Sequence, residues 1–125
     1  MASGSKILIV DDETEVGTLF SRILTHAGYE VRSAQSAEEG LRTAEEYQPD
    51  MIIVDFRMPM INGVGFLYRL RERSGLKDVP VVMVTGHGAL SDEVMADLKL
   101  LGADVHYKPV GQQDLLTITR AILLR

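Results

Sequence analysis

Four short stretches of this chain set reactive side chains directly behind apolar runs. KILIV (Lys6–Val10) leads into Asp11 and Asp12, and MIIV (Met51–Val54) into Asp55. VPVVMV (Val79–Val84) leads into Thr85, and Asp104–Tyr107 into Lys108 and Pro109. Each has an ordinary reading by itself: Asp12 as a helix cap, Thr85 as a turn residue, Lys108 as a surface lysine. Together they are three carboxylates, a hydroxyl and an ammonium. Like unit charges about 4 Å apart repel by about 1 kcal/mol in water and about 4 kcal/mol at an effective dielectric near 20. Three gathered carboxylates therefore need a cation. Mg²⁺ (or Mn²⁺) fits, because it takes oxygen ligands and uses one or two carboxylates plus waters and phosphate oxygens. There is no cysteine, and His26, His87 and His106 do not have a zinc-binding spacing. Carboxylate-held Mg²⁺ points to phosphoryl chemistry, in which a carboxylate can be the nucleophile. Catalysis is then mostly positioning and charge neutralisation. A lysine supplies a point charge to the phosphoryl oxygens, and a threonine hydroxyl can donate to one of them.

The four ends meet only if the strands run parallel. The short, nearly continuous apolar runs suit strands buried on both faces of a parallel sheet. Tyr29–Ala34 and Asp104–Tyr107 are weaker strand candidates. Between them lie helical patterns. Val16, Leu19, Phe20, Ile23, Leu24 and Ala27 form one face, closed by Gly28. Ser36 with Glu39 forms a capping box ahead of Ala37, Leu41 and Ala44, and Pro49 ends that segment. Phe66, Leu67 and Leu70 mark a third helix. Leu90, Val94, Leu98 and Leu101, closed by Gly102, mark a fourth, and Gln112–Leu124 is a fifth. Strands joined through helices predict an α/β fold: a doubly wound, five-stranded parallel sheet with five helices. Ligands of such sheets bind beyond the carboxyl ends of the strands, at the topological switch point.

The 125 residues suit one domain. With 46% hydrophobic and 25% charged residues, the chain is not of the disordered class. The net charge of −5 argues against a nucleic-acid surface on this chain. No apolar run approaches the about 20 residues of a membrane span, and no secretory signal opens the chain, so the expected compartment is the cytoplasm. Residues 1–5 read as a flexible tail and 6–125 as the folded domain.

These residues resemble the receiver domain of bacterial two-component response regulators, with its flavodoxin-like topology. The resemblance runs from Lys6 to Arg125. It is carried by ILIVDDE (7–13), PDMIIVDFRMPMINGVGFL (49–67), PVVMVTGHG (80–88), LGAD (101–104) and KPV (108–110). The resemblance implies that Asp55 is the phosphorylated nucleophile and Asp12 a direct Mg²⁺ ligand. Asp11 would act through water, and the Arg57 backbone carbonyl would be a further ligand. Lys108 would pair with the phosphoryl group, Thr85 would be the switch hydroxyl, and the Lys108–Pro109 bond would be cis. The phosphodonor would be a histidine kinase, a histidine phosphotransfer domain or a small acyl phosphate. The domain would catalyse only its own phosphorylation and dephosphorylation.

The chain departs from the family pattern in three places. The aromatic residue usually found three places before the lysine is replaced by Val105, which leaves His106 and Tyr107 as substitutes on opposite faces of the strand. Arg57 and His87 flank the phosphoryl position as long donors, and they are expected to screen it from water and lengthen its lifetime. The fifth helix is apolar over more than one face. Leu115, Ile118 and Ile122 are therefore candidates for a partner or homodimer contact on the face of the fourth helix, fifth strand and fifth helix, and Leu123 and Leu124 are where a fused output domain would cover the helix. Three rival readings stand beside the receiver. One is a degenerate receiver that binds partners without phosphorylation. Another is a phosphohydrolase of small phosphate esters, which usually carries a second Asp where Arg57 stands. The last is a flavodoxin-like electron carrier, whose flavin phosphate Asp11-Asp12-Glu13 would repel.

Overall fold

The computed structural model describes residues 4–86 and 90–125. Strands and helices alternate: β1 (Lys6–Val10), α1 (Thr14–His26), β2 (Glu30–Ala34), α2 (Ala37–Tyr47), β3 (Met51–Asp55), α3 (Gly63–Arg71), β4 (Val81–Thr85), α4 (Asp92–Leu100), β5 (Ala103–Tyr107) and α5 (Gln112–Leu123). All pairings are parallel, in the order β2-β1-β3-β4-β5. The chain leaves β1 toward one edge and returns to pair β3 on its other side. The switch point therefore lies between β1 and β3.

Period-two alternation sorts the strand residues into two cores. Leu8, Val10, Ile52, Val54, Val81 and Met83 pack under α2, α3 and α4 through Leu41, Phe66, Leu70 and Leu98. Ile7, Ile9, Met51, Ile53, Val82 and Val84 pack under α1 and α5 through Phe20, Leu24, Leu115 and Ile122. Both faces of the central strands are buried, hence their unbroken apolar runs.

Local signals set most boundaries. Ser36 Oγ accepts from the Glu39 N–H at 3.1 Å, while the Glu39 carboxylate accepts from the Gln35 N–H rather than from that of Ser36. Asn62 and Ser91 cap α3 and α4. Gly28 and Gly102 follow their helices at φ 101° and 83°, which a side chain would strain.

The structure corrects two expectations. Leu19 is 53% exposed, because the buried face of α1 is centred on Gly17, Phe20 and Leu24. The fourth strand begins at Val81 and ends on Thr85, since Val79 and Pro80 precede the ladder. Ahead of β1, the Gly4 N–H donates to Gly28 O and Ser5 O accepts from the Glu30 N–H, both at 2.9 Å. Among the described residues no helix is long and apolar enough to cross a membrane.

Candidate functional site

The register Val10↔Val54 brings Asp11 beside Asp55 at the switch point. Asp11 and Asp55 are buried, at 6% and 5% exposure. Carboxylate oxygens of Asp11, Asp12 and Asp55 all lie within 4.8 Å of one another. The Glu13 N–H donates to Asp11 Oδ1 at 2.8 Å and holds that side chain at the mouth of β1. Lys108 Nζ lies 3.2 Å from Asp55 Oδ1. The Lys108–Pro109 bond is cis, and the Lys108 N–H donates to Thr85 O at 2.8 Å, tying the end of β5 to the end of β4.

The electrostatics follow from burial. Desolvation pushes the Asp11 carboxyl up to about 6, against the Glu13 N–H and with help from the charge of Asp55. Burial also raises Asp55. Lys108 and the Arg57 backbone N–H oppose the rise, and Asp12 adds to it. The cluster therefore holds more negative charge than its one lysine neutralises. Hard oxygen donors at this spacing suit a divalent cation such as Mg²⁺.

The loop from β3 to α3 is held from within. The Phe56 N–H donates to Val84 O and the Gly63 N–H to Phe56 O, each at 2.9 Å. A Cβ on Gly63 would sit 2.6 Å from Met83 Sδ and 2.8 Å from Phe56 Cδ1, so only glycine lets the loop close this tightly. Arg57 stands exposed on it, its backbone beside Asp55. His87 lies outside the described residues.

Thr85 is 1% exposed, and its Oγ1 has no hydrogen-bond partner among the described residues. It pairs in register with Tyr107. Alternation puts Tyr107 with Ala103 and Val105 on the α4 side, where its hydroxyl reaches Met95 Sδ at 3.9 Å. Val105 is partly buried and packs against the core of that face. His106 points the other way, into a groove of about 770 Å³ that it lines with Thr117 and Ile118. Leu115 and Ile122 are 2% and 4% exposed and pack on the sheet, which takes them out of reach of a partner. Of the three α5 candidates, Ile118 is the most open, and Ile122 borders the same groove with little of its surface. Sequence reasoning did not reach Met95. Counting alternation back from Lys108 places Tyr107 on the face of Thr85, but which α4 residue meets it depends on how the helix docks.

Five parallel strands between two helical layers, with an acidic cluster and a lysine at the switch point, define a flavodoxin-like phosphosignalling fold. The response regulator receiver domain family matches residues 7–120, and the chain belongs to that family. It is 35% identical over 121 residues to the DNA-binding dual master transcriptional regulator RpaA of Synechocystis sp., covering 96% of this chain and 49% of that protein. It is 34% identical over 120 residues to the alkaline phosphatase synthesis transcriptional regulatory protein PhoP of Bacillus subtilis, covering 96% and 49%. The chain spans about half the length of the curated relatives it matches. The crystal structure of the chemotaxis protein CheY4 of Vibrio cholerae has a TM-score of 0.88 to it at 32% identity, covering 96% of this chain and 99% of that one.

Proposed function

We propose that Asp55 is the phospho-acceptor of this receiver domain, and that its phosphorylation needs a divalent cation held by Asp12, Asp55 and the Arg57 carbonyl, with Asp11 acting through water. The observation that carries this reading is the contact of Lys108 Nζ with Asp55 Oδ1 at 3.2 Å, beside two further carboxylates. An Asp55 carboxylate oxygen attacks phosphorus. The bond from phosphorus to the donor, a phosphohistidine nitrogen or an acyl oxygen, breaks with its electron pair going to the donor. When bound, Mg²⁺ supplies charge neutralisation between the carboxylates and the incoming phosphoryl oxygens. Lys108 moves from its partner Asp55 to a phosphoryl oxygen, and the buried Thr85 hydroxyl donates to another. That new bond at the end of β4 is felt at Tyr107, its register partner, and through Met95 at α4.

The partners on this reading are a histidine kinase or histidine phosphotransfer domain on the input side. On the output side stands a fused domain, a separate protein or a second copy, met through α4, β5 and α5. RpaA and PhoP are named as transcriptional regulators, which supports control of a DNA-binding partner. Arg57 and His87 lengthen the lifetime of the phosphoryl group; a decay rate unchanged in the Arg57→Ala, His87→Ala double variant would remove that role.

The test is intact mass after incubation with acetyl phosphate and Mg²⁺. One phosphoryl adduct is expected in the native protein and none in Asp55→Asn or without metal. If the folded protein takes up neither acetyl phosphate nor beryllofluoride, which needs the pocket but no donor, the reading is wrong.

A further inference from the structure

Helix α4 is held unequally at its two ends. Its one fully buried side chain is Leu98, in the last turn. Toward the other end Val94 and Leu90 are only partly buried, and Ser91 supplies the cap. Just past the last turn the chain meets Arg71, the final residue of α3. Arg71 Nε donates to Leu101 O at 2.9 Å, and Nη1 donates to Leu76 O at 3.0 Å and Val79 O at 2.7 Å. Its Nη2 lies 3.1 Å from where a Cβ on Gly102 would stand, and Gly102 turns the chain at φ 83°. One planar donor group thus binds three carbonyl oxygens, one closing α4 and two in the connection into β4. The site is half-buried, and burial pulls the guanidinium below its ordinary value, with Asp78 opposing. A cation at the carbonyl end of α4 also complements the helix dipole. A lysine has no such fork and cannot reproduce these directions.

We infer that Arg71 is the fulcrum of α4: it fixes the carboxyl-terminal end of the helix so that a change at Thr85 and Tyr107 swings the Met95 end about Leu101. Arg71 is a positioning residue: it acts through α4 and is not part of the acidic cluster. The inference rests on the receiver reading above. It converts a small displacement at one point of the helix into a rotation of the surface a partner meets. Interfaces respond to such rigid-body motion in discrete steps.

Backbone NMR tests it on the whole chain. The Leu101 N–H bonded to Asp97 O and the Gly102 N–H bonded to Lys99 O report the pinned end, and the Met95 N–H bonded to Ser91 O reports the other. Arg71→Met keeps the stem and removes all donors. It is expected to speed amide exchange at Leu101 and Gly102 by about tenfold or more, with little change at Met95. With Mg²⁺ and beryllofluoride, the native protein should shift the amides of Met95 and Tyr107 and leave Leu101 and Gly102 in place. In Arg71→Met the shifts should spread to both ends. If Arg71→Met does not fold, Arg71→Lys, which keeps the charge and loses the fork, is read the same way with smaller effects. Unchanged exchange at Leu101, or native shifts as large at Leu101 as at Met95, would overturn the fulcrum. Absence of any shift at Asp55 and Thr85 would instead mark failure of the receiver reading, and the pivot falls with it. The exchange comparison still decides whether Arg71 anchors the helix.

Discussion

Thr85 and Tyr107 are register partners at the carboxyl edge of the sheet, both on the α4 side. Thr85 carries a buried hydroxyl with no hydrogen-bond partner among the described residues, and Tyr107 extends from it to Met95. A buried, unsatisfied hydroxyl is costly unless a ligand completes it. On our reading a phosphoryl oxygen does so, and the tyrosine beside it carries the change outward.

Tyr107→Ala should therefore separate chemistry from output. Beryllofluoride binding should stay within about twofold of native, because the Tyr107 hydroxyl is directed at Met95 on the α4 side. The shifts it induces in α4 amides should fall by half or more. Equal shifts in the variant would assign the coupling elsewhere.

On the reading proposed above, Lys108 and the metal compete for the same carboxylate. Lys108→Met should tighten Mg²⁺ binding by about threefold to tenfold, the modest size reflecting a lysine partly open to solvent. The same variant should take up phosphoryl groups more slowly, since no ammonium meets the incoming oxygens. Metal titration and intact mass measure the two effects separately.

Asp11 gives the metal-free protein a pH dependence of defined sign. Its carboxyl is raised from 3.8 to about 6 in the folded state, so the folded protein binds this proton more tightly than the unfolded chain does. Its contribution to stability is full below about pH 4 and is lost as pH rises through 6. At pH 7 the burial of this charge costs about 2–3 kcal/mol. Asp11→Asn should thus stabilise the metal-free protein at pH 7 by about 2 kcal/mol, with the gain vanishing near pH 4. Mg²⁺ binding should weaken below pH 6 in the native protein, as the Asp11 carboxyl beside the site takes up its proton and its negative charge is lost. Urea unfolding across the pH range, native against variant, isolates this group from the histidines.

Two glycines should respond to alanine with opposite signs. At Gly63 the new Cβ would press on Met83 and Phe56, so Gly63→Ala should cost about 1–3 kcal/mol by overpacking and loosen the loop beside Asp55. Gly17 lies inside α1 with nothing within 4 Å of an added Cβ. Gly17→Ala should therefore stabilise the protein by about 0.5–1 kcal/mol through helix propensity. Denaturant midpoints at constant slope measure both.

The sequence by itself determined the order of elements, the parallel sheet and the acidic cluster with its lysine. Those features rest on local periodicity and on which residues end each strand. Asp11 and Asp55 meet because parallel connection leaves the ends of β1 and β3 adjacent. Tertiary structure decided what periodicity does not encode, the rotation at which each helix docks. That rotation exposes Leu19 and buries Leu115 and Ile122 within patterns that looked equally apolar. It also sets Met95 against Tyr107, while Val105 joins the core. Arg71 offered no local signal, because an arginine at a helix end is usually solvated. It becomes a clamp only when α3, the connection into β4 and the end of α4 bring three carbonyl oxygens within reach of one guanidinium, where burial makes leaving them unbonded costly.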